Sequence, residues 1–99
     1  MPIYKMIMPK SEYLQILKIL VQNDGKVKKR HLIENLKELK IIEPVGRQSL
    51  SKPAEHGQLK TILDPMIKME YVDVETVGRN SIVSITTQGK NTLEIFGNP

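Results

Sequence analysis

The spacing of apolar residues changes along this chain, and the changes divide it into elements. In SEYLQILKILVQN, from Ser11 to Asn23, apolar side chains stand at 13, 14, 16, 17, 20 and 21. Steps of three and four residues lay a broad stripe along one side of an α-helix. Ser11 is its expected N-cap, and Gly25 behind Asn23-Asp24 its expected stop. Leu32, Ile33, Leu36 and Leu39 repeat the spacing and predict a second helix from about Lys29 to Leu39. The period then fails in IIEPVGRQSLSKPAE, where Pro44, Gly46 and Pro53 predict a loop. It returns in GQLKTILDPMIKM, where Leu59, Ile62, Leu63, Met66 and Ile67 share one face of a third helix. Pro65 lies inside that helix. It removes one backbone donor, so a kink or a loosened turn is expected there.

From EYVDVETV onward the period becomes two. Val72 and Val74 alternate with Asp73 and Glu75, Gly78-Arg79-Asn80 reads as a turn, and SIVSIT returns as the partner strand. Thr86 or Thr87 is placed to cap a last helix that runs through Phe96. At the other end, Pro2 and Pro9 bracket MPIYKMI, an arm or edge strand. The expected organisation is an arm over residues 1–10 and one α+β domain over 11–96, ordered helix, helix, helix, hairpin, helix.

Composition narrows the picture. Ninety-nine residues make one domain with one core, too small for a cleft walled by two domains. With 39% hydrophobic and 26% charged residues the chain is expected to fold as a soluble globule. Only three tyrosines and one phenylalanine are present, so Leu, Ile, Val and Met must fill the core. The absence of cysteine excludes disulfides and thiolate metal sites. No signal peptide is visible, and the most apolar run, YLQILKILV, is too short to span a bilayer. A cytoplasmic location without a membrane partner is expected. The net charge of +4 and a pI near 9.4 make nucleic acid or another anionic surface the first candidate partner.

Over GQLKTILDPMIKMEYVDVETVGRNSIVSITTQGKNTL the chain resembles a winged helix-turn-helix domain of the PadR and MarR kind. Gly57, Leu59, Ile62 and Leu63 match the family's recognition helix. Tyr71 and Val72 match the start of its wing, with Glu70 where the family usually has glycine, and Ile85, Thr86 and Gly89 match the junction that closes it. The resemblance covers roughly Ser11 to Phe96. It implies a winged helix-turn-helix fold, with a three-helix core, a two-stranded wing and a short C-terminal helix, in a homodimer that binds double-stranded DNA. The closing helix is short for the family, which leaves the first helix, the arm or the last helix for dimer contacts, with Tyr4 and Phe96 as candidates.

Three segments are expected to meet DNA. Lys28, Lys29 and Arg30 crowd the start of the second helix, where like charge opposes the helix dipole unless a phosphate is shared there. The loop and the start of the third helix offer Arg47, Gln48, Ser49, Ser51, Lys52, His56, Gln58, Lys60 and Thr61. Among these Gln58 suits adenine, and Arg47 or Lys60 suits guanine or phosphate. Arg79 and Asn80 occupy the wing tip, where a long cation can enter a minor groove.

Catalytic chemistry is sparse. His31 and His56 lack partners at metal-ligand spacing, and the glycines are scattered singly, so no enzyme activity, metal or cofactor is expected. The resemblance implies the job of a transcription regulator, repressor-like, or of a plasmid partition-site adaptor that spreads on DNA and recruits a second protein. The alternative is a winged-helix module that docks proteins without specific DNA binding.

Overall fold

The computed structural model describes residues 9–44 and 54–97. Helix α1 (Ser11–Gln22) leads through the short strand β1 (Lys26–Lys28) into α2 (Lys29–Glu38). After the loop come α3 (Glu55–Lys68), the hairpin β2 (Val72–Val77) and β3 (Asn80–Ile85), and α4 (Thr87–Phe96). The four helices and the hairpin follow the sequence pattern. Strand β1 does not: it turns the hairpin into a three-stranded antiparallel sheet of order β1-β3-β2. The expected arm falls almost wholly on residues outside the described ones.

The core lies between the three helices and the base of the sheet. Ile16, Leu17, Leu20, Leu32, Leu36, Ile42, Leu59, Leu63, Met66, Val72 and Val83 are fully buried. Each contributes about 1.5–3 kcal/mol relative to an exposed position. Val27 pairs with Val83, so β1 joins the core through one residue, while Lys26 and Lys28 on either side are exposed. Away from the core the hairpin is open. In β2 only Val72 is buried, and Val74, on the same face of the strand, is 37% exposed.

All three core helices end in the same way. Asp24, Lys40 and Glu70 adopt positive φ near 60° just past the ends of α1, α2 and α3. The following amide bonds back in each case: Gly25 to Leu20, Ile41 to Leu36 and Tyr71 to Met66, at 2.7–2.9 Å. These are Schellman ends built on residues other than glycine. Glu70 thus takes the backbone conformation for which the resembling families use glycine.

The start of α1 departs from expectation. Lys10 takes the N-cap position, without a side-chain bond, and Ser11 is already helical. Helix α3 contains Pro65 and continues through it as one helix to Lys68. At α4 the cap is Thr86, whose hydroxyl oxygen accepts from the Gly89 amide at 2.9 Å and donates to the Glu70 carbonyl. Gly89 is required there by close approach, since a Cβ would sit 2.2 Å from the Tyr71 carbonyl oxygen.

Candidate nucleic-acid interface

The pairing of β1 with β3 sets Lys28 opposite Ile82 and so brings the start of α2 beside the wing. The hairpin turns through two residues, Gly78 and Arg79. Gly78 has φ +62°, the first-position geometry that favours glycine. His56, the second residue of α3, approaches the same place. Together Lys28, Lys29, Arg30, His56, Arg79, Asn80 and Ser81 line a surface depression of about 170 Å³.

Its electrostatics have one sign. No carboxylate lines the depression, and Lys28, Lys29, Arg30 and Arg79 form no ion pair with any described carboxylate. Helix α2 has no acidic residue in its first turn and no side-chain cap, and Lys28, Lys29 and Arg30 stand beside its leading amides. Dipole and cations therefore add. With the Asn80 amide and the Ser81 hydroxyl, nearly every polar group of the lining can donate. A phosphate, which only accepts, is the complementary ligand.

The described cation that does carry carboxylate partners lies elsewhere. Lys37 on α2 meets Glu34 at 3.4 Å and Glu55 of α3 at 3.3 Å. These contacts, the hydrogen bond to Glu55 foremost, raise the Lys37 pKa above its ordinary 10.5. The same bridge ties α2 to α3 and offsets the one acidic residue in the first turn of α3.

The sequence-expected residues divide accordingly. Lys28, Lys29, Arg30, His56, Arg79 and Asn80 come together. Lys60 and Thr61 are exposed on α3 outside the depression, and the Thr61 hydroxyl bonds the Gly57 carbonyl at 3.0 Å. Gln58, expected as a base reader, has its side-chain amide engaged within the chain. Its amide oxygen accepts from the Glu43 amide and its nitrogen donates to the Glu43 carbonyl, both at 2.9 Å. This two-way bond holds the segment that places Ile42 in the core. Ile67, expected to face inward, is 40% exposed near the end of α3. Arg47, Gln48, Ser49, Ser51 and Lys52 lie outside the described residues. Ser81 was not foreseen; its place directly after the Gly78-Arg79-Asn80 turn was the available signal.

Among the described residues no helix is long and apolar enough to cross a membrane. Comparison with curated proteins and with solved structures gives no match. Residues 12–97 match the model of one family, described as the DUF6293 C-terminal winged helix domain. The helical core, the three-stranded sheet and the projecting hairpin agree with that description, and the chain belongs to this winged-helix family.

Proposed function

We propose that this winged-helix domain binds double-stranded DNA, with the depression between α2, α3 and the wing tip seated on a backbone phosphate. The observation that carries the reading is the convergence of four cations without carboxylate partners, drawn from the start of α2 and the wing tip. The exposed face of α3, with Lys60 and Thr61, then lies toward the major groove, and the phosphate contacts fix its register. The protein acts by binding, without catalysis.

In the finer form of the reading, two copies bind a palindrome with recognition helices about one DNA turn apart, roughly 34 Å. The PadR and MarR resemblance supports a repressor-like regulator; a partition-site adaptor uses the same contacts on repeated or flanking DNA. Selection of preferred duplexes from a random pool, followed by footprinting, tests both levels. Enrichment of a palindrome with protection confined to it supports the regulator, and protection that spreads supports the adaptor. Failure to bind any duplex at low salt refutes DNA binding and leaves protein docking as the function.

A further inference from the structure

Strand β2 forms one edge of the sheet, since it pairs with β3 and, among the described residues, with no other strand. The hairpin register fixes which backbone groups that edge presents. Val77 and Asn80 close the two-residue turn as a hydrogen-bonded pair, so Val77, Glu75 and Asp73 bond toward β3. The amides and carbonyls of Val74 and Thr76 therefore point away from the sheet. The strand is six residues long and pairs in unbroken register, without a bulge to spoil its edge. Its side chains alternate as well: Asp73 and Glu75 stand exposed on the outer face, while Val74 remains 37% exposed on the other.

We propose that the β2 edge is a docking site for an extended basic segment of a partner protein, which adds a fourth strand to the sheet. The side-chain chemistry selects the occupant. An added strand places its residues directly opposite those of β2, with side chains on shared faces. Opposite Asp73 and Glu75 it must bring Lys or Arg, and opposite Val74 an apolar residue. A second copy of this strand is disfavoured, because antiparallel pairing centred on Val74 sets Asp73 against Glu75 of the second copy, twice. Like charges directly opposed destabilise such pairs. The same acids repel phosphate, so this edge is not a DNA surface. It is separated from the cationic depression by β3, and a partner docked there leaves the wing tip free. The inference stands independently of DNA binding.

The test uses the full chain, isotope-labelled, titrated with a short synthetic peptide that alternates lysine and valine. The expected result is saturable binding, with hydrogen exchange slowed at the Val74 and Thr76 amides and little change at Glu75. A peptide of the same sequence, N-methylated at the pairing amides, should not bind. The double substitution Asp73→Lys and Glu75→Lys falls on exposed positions and should keep the thermal melt. It should weaken the lysine peptide by at least about tenfold and create binding of a glutamate–valine peptide. Equal binding of the N-methylated peptide, or unchanged affinity in the double variant, would show diffuse charge attraction and overturn the proposal. Absence of binding up to millimolar peptide would also overturn it, as would self-association through this edge in place of peptide binding.

Discussion

The two ends of the wing hairpin are built on opposite principles. At its base, near Val72 and Ile85, polar groups are turned inward and matched. Thr86 joins the Glu70 carbonyl to the Gly89 amide, the Thr86 amide bonds the Tyr71 carbonyl at 3.1 Å, and Gly89 leaves no space for a methyl group. At the tip, Arg79 and Asn80 meet Lys28, Lys29 and Arg30 with no carboxylate among them. The base locks α3, the wing and α4 into one unit, while the tip gathers charge that the fold leaves uncompensated. Stability and binding should therefore separate by position along the same two strands.

The sharpest way to break that separation is at the base. Gly89→Ala forces a Cβ against backbone that cannot move aside like a side chain, and should destabilise the domain by about 3 kcal/mol in denaturant unfolding. A stability within a few tenths of the native chain would mean that the α4 junction is loose. Thr86→Ala removes the cap and should lose about 1–2 kcal/mol by the same measurement. Both variants, when folded, should keep the native salt dependence of DNA affinity.

Smaller effects sharpen the comparison. Glu70→Gly relieves a left-handed backbone at the end of α3 and should add roughly 0.5–1 kcal/mol, with DNA affinity unchanged. The smallest effect concerns pH. The Lys37 pKa is higher in the folded chain than in the unfolded one, so the α2–α3 bridge contributes fully below pH 10.5 and is lost as pH rises through the raised value. Lys37→Met should flatten that alkaline fall in melting temperature. An identical alkaline slope in the two proteins would remove the bridge as its cause.

What the sequence revealed follows from how many residues carry each signal. Ten or more residues report the helical period, so α1, α2 and α3 were legible, as was a hairpin punctuated by Gly78. Thr86 announced its cap because it stands where a strand meets a helix. Strand β1 was hidden because three residues, Lys26-Val27-Lys28, cannot establish a period, and its pairing depends on β3, more than fifty positions away. Ser11 misled for a related reason: cap chemistry is local, but the first helical turn is set by packing against the core, and it begins one residue earlier than that serine could cap.

The site was legible in its charges and illegible in its geometry. The basic triplet and Arg79 stand out in the sequence, yet only the β1–β3 register makes them neighbours. Gln58 shows the converse. Its position on the flank of α3 fits a base reader, and nothing local reveals that the Glu43 backbone fills both ends of its amide. Periodicity put Val74 on the face of Val72, and Ile67 on the face of Leu63, yet both are partly exposed. Periodicity gives the side of an element and not whether another element covers it.

Whether the four cations of the depression, three at the start of α2 and Arg79 at the wing tip, meet DNA phosphates is tested most directly by the salt dependence of binding. Duplex affinity should be measured across a range of salt concentrations for the native chain and for the combined variant Lys29→Ala, Arg30→Ala, Arg79→Ala, with folding checked by thermal melt. The slope of log affinity against log salt should become shallower by about 0.9 for each cation removed, at unchanged stability. An unchanged slope in a folded variant would contradict phosphate contact there and move the nucleic-acid surface elsewhere on the domain.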